Sequence, residues 1–596
     1  MSQLIPKISA QASQDAAVRT VNIALDSSSP AEQSVKKFIE NDAGDGTRRE
    51  DQYLTGAKLV LCVISIALCM FLVGLDQTIV ATILNQVGTE FNAVGKVVWL
   101  MTGFFLPSTV FSANWGQISI IFGRKYTMVV CVVLFEAGSL MCALAPNMNT
   151  LIGGRVLAGV GASGIQSLAF IIASEVTAIN KRPFVFACMG ISMAVSLVCG
   201  PLIGGAFGSN VSWRWCFYIN LPVGGVASVF FVYSFNPPNP VFDLRTKLKL
   251  VDYIGTTLIA IGLVLFLLGL SFYSTNEYPM KSAAVIVNII LGAFFFIGFC
   301  VWNFRFSPRP LIPVEMVTTP GVLFAGITSF FMMSYFTVCI LFLSLYWELV
   351  LGYSPIKSGI NSLPFVIPLV ICSISTGVLI GKTRFIKPLL MLGSVFAVAG
   401  TAVLPLLNQD SDSSHRIGLV IMVGASFGLL LQSVMSSTQV SAPKIEGGVI
   451  MSTSFITFGR GLGSSLCTIL SDIAYNSSLK SKYTSAMKTV PKSIATQIDQ
   501  YSLTELANDS DIIAALSPDA ARFVRKILED AIYSAFYFAI ALAACTMISG
   551  VFTTNRKIPK GDNVALANRD DEEQKAKVNN EDENTDVGEV TEAKEV

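Results

Sequence analysis

The sequence predicts an all-α integral membrane protein with 14 transmembrane helices. Three observations carry that prediction. The chain is 52% hydrophobic and only 14% charged, where soluble domains carry about 25% charge. Its charges are segregated: residues 1–58, 473–531 and 555–596 hold 48 of the 81, leaving 33 for the other 437 residues. Along that remainder, apolar stretches recur at the roughly 20-residue length that crosses about 30 Å of hydrocarbon.

The N-terminal tail, 1–58, is polar and charged with no signal-peptide pattern, so the first apolar segment is expected to serve as an uncleaved anchor. Spans are expected near 59–82, 97–118, 126–145, 151–174, 184–207, 215–235, 252–272, 283–302, 321–345, 360–381, 386–407, 417–440, 448–471 and 532–553. Residues 554–596 form an acidic C-terminal tail. Around Asp570-Asp571-Glu572-Glu573 it has almost nothing to bury, so both tails are expected to be disordered. With the N-terminus inside, thirteen Lys and Arg fall on inner short loops. Only five (Lys96, Arg214, Lys281, Lys357 and Arg416) fall on outer ones, so both termini are expected in the cytoplasm. The loop 473–531 then faces outside or a lumen. There Asn476-Ser-Ser and Asn508-Asp-Ser are glycosylation candidates, or sequons arising by chance.

An internal echo orders the spans. Gly377-Val-Leu-Ile-Gly381-Lys382-Thr-Arg384-Phe-Ile-Lys387 repeats the small-residue and basic character of 112–125 at an offset of eight helices. That offset fits two six-helix bundles plus two inserted helices: bundles at 59–235 and 321–553, and the insertion at 252–302. A P-loop in the same stretch fails, because the glycine it requires is Thr376.

Composition also excludes. A net charge of +1 gives no nucleic-acid signature. All twelve cysteines lie in apolar segments and the single histidine, His415, in a short polar loop, so no zinc site, disulfide framework or histidine proton relay is indicated. No metal, no cofactor, no catalytic constellation and no obligate protein partner is expected; the bilayer is the surrounding medium.

Five short elements remain. They are Leu75-Asp76-Gln77-Thr78-Ile79-Val80; Gly116-Gln117-Ile118-Ser119-Ile120-Ile121-Phe122-Gly123-Arg124-Lys125; and Gly154-Arg155-Val156-Leu157-Ala158-Gly159 running to Gly164. Gly200-Pro201-Leu202-Ile203-Gly204-Gly205 and Trp213-Arg214-Trp215-Cys216-Phe217-Tyr218-Ile219-Asn220-Leu221-Pro222 complete the set. In this order and spacing they resemble the major facilitator superfamily, specifically its 14-spanner drug:proton antiporters. The likeness covers about residues 55–555 and is strongest to fungal members linked to azole and dye resistance and to vacuolar basic amino acid transport.

A carboxylate at a helix centre costs about 2.5–3.5 kcal/mol on insertion scales, so Asp76 is expected to face a partner or a cavity. Counted from the outer surface, Asp76 on the first span and Arg155 on the fourth lie at matching depths. The pair is either a packing lock or a protonation switch. Glu136, near the middle of span three, is either a second proton-coupling carboxylate or a partner for a neighbouring polar group. Arg460, in Phe458-Gly459-Arg460-Gly461, resembles a family arginine-glycine element, which implies a packing and gating role.

Span five carries Ser192, Ser196, Gly200, Gly204 and Gly208 at i, i+4 spacing, a strip that admits a close helix, and Pro201 permits a bend. In the antiporters it resembles, this motif marks export. The 116–125 loop departs from the family pattern, with Ile120 and Ile121 where an Asp-Arg pair is usual. Arg124 and Lys125 then act either in a weakened latch or as positive-inside anchors. Gln166, Asn85 and Asn220 are candidates for the substrate cavity.

Together these imply a proton-coupled antiporter exporting toxic or xenobiotic amphipathic compounds, cationic or neutral, across the plasma membrane. The alternative is a vacuolar basic amino acid transporter filling an acidic lumen. A non-transporting membrane sensor is a third class, disfavoured because the tails are short and polar.

Overall fold

The computed structural model describes residues 53–93, 96–179, 181–237, 244–274, 278–409, 412–445, 447–488, 490–508 and 510–558. The two tails lie outside these residues except for 53–58 and 554–558. Every regular element among the described residues is helical. The principal helices are α1 (Gly56–Ile79), α2 (Val98–Phe111), α3 (Asn114–Phe122), α4 (Arg124–Ala143), α5 (Met148–Val176), α6 (Arg182–Asn210) and α7 (Asn220–Ser234). Then come α8 (Tyr253–Ser274), α9 (Ala283–Val301), α10 (Pro320–Leu345), α11 (Leu363–Thr383), α12 (Lys387–Val403), α13 (Ser413–Ser441), α14 (Gly448–Ala486) and α15 (Pro518–Val551).

Among the described residues, twelve helices are long and apolar enough to cross a membrane, and Trp99–Phe111 is apolar but shorter. Helix α14 covers the expected 448–471 span and is long enough, but it is too rich in Ser, Thr and Gly to join the twelve. The segment expected at 97–118 is broken. Pro107 lacks an N–H, Thr109 Oγ1 donates to the Phe105 carbonyl at 3.0 Å, and Ser112 Oγ donates to that of Thr109 at 2.6 Å. Helix α2 therefore stops at Phe111 and α3 restarts at Asn114. Gly123, at φ 93°, makes the turn into α4, a backbone region that glycine enters without steric cost.

The stretch expected as a polar outer loop, 473–531, is largely helical. Helix α14 runs on to Ala486, short helices follow at Lys492–Ile498, Leu503–Asn508 and Ser510–Ala515, and α15 begins at Pro518. Ile498, Leu506 and Ile513 are buried in the same core as Val350 and Val524, so these pieces cap the C-terminal bundle. Isolated apolar residues spaced through a polar stretch give too weak a periodic signal to be read as helix.

Close helix approach depends on small residues. A methyl added at Gly138 of α4 would collide with the backbone of Ala158 on α5, and one at Gly161 would strike the Phe135 amide. Gly161→Val is expected to cost about 1–3 kcal/mol through overpacking, read as a lower melting temperature in detergent.

A polar clasp joins the ends of three helices. Glu90, just beyond α1, accepts hydrogen bonds from Trp213 Nε1 at 2.6 Å and Arg214 Nη1 at 2.8 Å. Arg214 also stacks on Trp213 at 4.4 Å and reaches the Ala145 carbonyl at the end of α4. The indole N–H first, and then the guanidinium, hold the Glu90 carboxyl below the ordinary carboxylate range. The stabilisation is therefore full above the unfolded value of about 4.3 and is lost as pH falls through the lower folded value. Since the pair is partly exposed, it contributes no more than about 1 kcal/mol. Glu90→Gln should melt below the native chain at neutral pH, and the difference should shrink as pH drops towards about 3.

Candidate functional site

The N-terminal bundle holds a polar network with no exposure to solvent. Asp76 on α1 and Arg155 on α5 are both fully buried and form an ion pair, Nη1 to Oδ2, at 2.5 Å. Arg155 is fixed from two further sides. Its Nε donates to the Leu100 carbonyl at 3.0 Å, and its guanidinium lies over the Phe104 ring at 4.4 Å. Asn220 at the start of α7 donates to Asp76 Oδ1 at 3.3 Å and to Ser139 Oγ of α4 at 3.0 Å. Asn220 therefore belongs to this network and not to an open substrate cavity, where the sequence placed it. Three helices, α1, α5 and α7, meet at one carboxylate, and Ser139 ties in α4 through Asn220.

One turn from Ser139, Glu136 sits differently. Both its carboxylate oxygens are buried, and neither has a hydrogen-bond partner. The side chain lies against Gly224 of α7, where an added methyl would collide with Oε1. Gly224 follows Asn220 by one turn, so α4 and α7 carry the network and the unpartnered acid on facing stripes. With α1 running outward, as the charges orient it, Glu136 lies one turn further inward than the pair.

The glycine motif of α6 works on two faces. Gly200 and Gly204 bring α6 against Thr78 and Thr82 on and just beyond α1, so that Thr78 Oγ1 reaches the Ser196 carbonyl at 3.3 Å. Pro201 and Gly205 face the other bundle, where they meet Gly359 and Ile356. The helix that packs on the Asp76 helix is thus also a seam between bundles.

At the other end of the N-terminal bundle, Arg124 at the head of α4 pairs with Glu175 in the last turn of α5 at 2.9 Å, both side chains buried. Arg124 is therefore more than a membrane anchor. Lys125 instead bonds the Val232 carbonyl at 2.8 Å and the Asn236 side chain, with no carboxylate among its described partners. The acid at 175 was missed because it falls just past the expected end of span four; the signal was its place opposite a basic helix start. Next to it the bundles are in contact. Met435 and Ile450 of the C-terminal bundle are buried in the N-terminal core, and Gln117 Nε2 donates to the Arg309 carbonyl at 2.9 Å.

Arg460 lies on this seam. It is 8% exposed, donates from Nε to Ser329 Oγ at 3.0 Å, and has its guanidinium 5.3 Å from the Phe170 ring centre. Among the described residues, no carboxylate lies within ion-pair distance of it. Gln166, one turn from Phe170 on α5, is half-buried. Asn85 lies on the short helix Leu84–Glu90, but its side chain is outside the described residues. Asn476 is inside α14 and donates from Nδ2 to the Ser274 carbonyl at 2.9 Å, so its amide is already engaged. Asn508 ends a short helix and its side chain is outside the described residues.

The family model described as Major Facilitator Superfamily matches residues 66–468. Vacuolar basic amino acid transporter 5 of Saccharomyces cerevisiae is 32% identical, over 91% of this chain and 99% of its own. Azole resistance protein 1 of the same yeast is 30% identical, over 89% and 93%. The rubrofusarin-specific efflux pump aurT of Gibberella zeae is 31% identical, over 73% and 80%. Among solved structures, a bacterial homolog to the human lysosomal transporter Spinster shares the fold. Its TM-score is 0.50 at 13% identity, over 84% of this chain and 98% of that one. The chain is therefore a multi-pass membrane transporter, not an enzyme, and it belongs to the Major Facilitator Superfamily.

Proposed function

We propose that this protein is a proton-coupled antiporter that exports amphipathic toxic compounds, and that the N-terminal bundle carries the proton. One observation supports this most: a fully buried Asp76–Arg155 pair lies one turn from a buried carboxylate with no partner. A lone buried anion is costly, and a proton is the simplest way to neutralise Glu136. A proton arriving from outside meets Asp76 first and loosens its hold on Arg155. Asn220 and Ser139 link that acid to the turn that carries Glu136, from which the proton leaves inward. Because α6 packs on the Asp76 helix and on the second bundle, a change at the pair is passed to the seam.

The driving force is adequate. A potential of roughly 100 mV and one pH unit supply about 2.3 and 1.4 kcal/mol per proton, enough for an approximately 500-fold gradient of a neutral substrate at 1:1 exchange. The names of the azole-resistance and efflux relatives support export at the plasma membrane. The relative named as a vacuolar basic amino acid transporter supports a second reading, movement of Lys, Arg or His into an acidic lumen. Labelled lysine uptake into acidified vesicles, absent on the first reading and present on the second, separates the two.

Asp76→Asn keeps an acceptor for Arg155 but removes the titrating charge. In proteoliposomes it should reduce pH-driven dye accumulation to background while downhill counterflow persists. Glu136→Gln should behave likewise. Normal pH-driven accumulation by Asp76→Asn would refute the coupling scheme, and retained counterflow shows that the variant is folded.

A further inference from the structure

We propose that Arg460 binds the anionic group of the transported compound, a carboxylate or phenolate carried on an aromatic body. The inference rests on the transport reading above and names its substrate class, which differs from the cationic or neutral class expected from the sequence.

Four arginines are buried among the described residues, and one of them, Arg182, lies within the N-terminal bundle with its Nε donating to the Thr177 carbonyl. Arg124 and Arg155 each meet a buried carboxylate. Arg460 meets only the Ser329 hydroxyl and the Phe170 ring, and its Nη2 is buried with no hydrogen-bond partner. A guanidinium offers five N–H donors in a rigid fork, and it stays charged at any accessible pH. At mid-membrane depth such a charge is expensive without a counter-anion, and the fork matches a carboxylate in two parallel hydrogen bonds. Structural stabilisation alone would favour an apolar residue here.

Position makes the charge available to a substrate. Arg460 and Ser329 belong to the C-terminal bundle, and Phe170 to the N-terminal one. Separation of the bundles at their inner ends therefore draws the ring off the guanidinium and uncovers Nη2 towards the cleft. Phe170 and Gln166 share a stripe of α5, so the facing wall offers an aromatic surface and an amide. An aromatic body stacked on Phe170 places its anionic substituent on Arg460. The two acids, by contrast, lie inside the N-terminal bundle, among α1, α4 and α7. They do not line this wall.

The test uses the purified full-length chain in detergent, with equilibrium binding of radiolabelled naphthoate and of its uncharged isostere naphthamide. The native chain is expected to prefer naphthoate by at least about tenfold. Arg460→Gln should remove that preference while naphthamide binding persists, and Arg460→Lys should retain part of it, since an ammonium keeps the charge but loses the fork. Equal binding of the two probes by the native chain, or no naphthoate binding, overturns the proposal. So does an equal loss of both probes in Arg460→Gln when Arg460→Lys still prefers neither. No pH gradient is imposed, so this result is independent of the proton coupling proposed above.

Discussion

A carboxylate and a guanidinium that meet at 2.5 Å with no solvent exposure set the constraint under which the N-terminal bundle is built. Removing either charge leaves the other buried and unpaired, a loss of about 3–5 kcal/mol where such pairs have been broken. The bundle surrounds the pair on every side. Leu100 and Phe104 hold the arginine, Asn220 holds the acid, and Ser139 holds the asparagine. These bonds hold the pair in place, while Arg155 Nη2 and Asn220 Oδ1 stay buried with no hydrogen-bond partner. On the proposed coupling, a lock and a switch would be the same object in two protonation states.

Glycine positions connect that pair to the second bundle. Gly200 and Gly204 let α6 touch the helix of Asp76, while Pro201 and Gly205 on the same helix touch the second bundle. No long-range wire is required between proton site and seam, because one rigid helix borders both. The seam is held by separate means: Met435 and Ile450 buried in the N-terminal core, and the Gln117 amide on the Arg309 carbonyl of the segment leading into the second bundle. Opening inward must break these contacts, whereas the outer cap over 473–531 packs on the C-terminal bundle and need not part from it.

Much of this was legible in the sequence where a rule depends on depth or period. Matching distances from the outer surface predicted the approach of Asp76 and Arg155, and the i, i+4 small residues of span five predicted a close helix. The two-sided use of that strip was not legible, since spacing does not say which helix comes to which face. Asn220 looked like a cavity residue because an isolated amide in a span has many possible partners. Span two looked continuous because the hydroxyls of Thr109 and Ser112 compete with the helix only in a particular rotamer. Glu175 and Glu90 sat at helix ends, where charge is ordinary; only the basic start of α4 opposite Glu175 marked it, and nothing in the sequence marked Glu90.

The proposed coupling turns on a proton carried by Glu136, a buried carboxyl with no hydrogen-bond partner. Infrared spectroscopy of the purified chain at neutral pH measures this directly, through the carbonyl stretch of a protonated carboxylic acid in an apolar setting. Such a band should be present in the native chain, persist in Asp76→Asn and lose intensity in Glu136→Gln. A band that survives Glu136→Gln unchanged, or none in the native chain, would contradict the account.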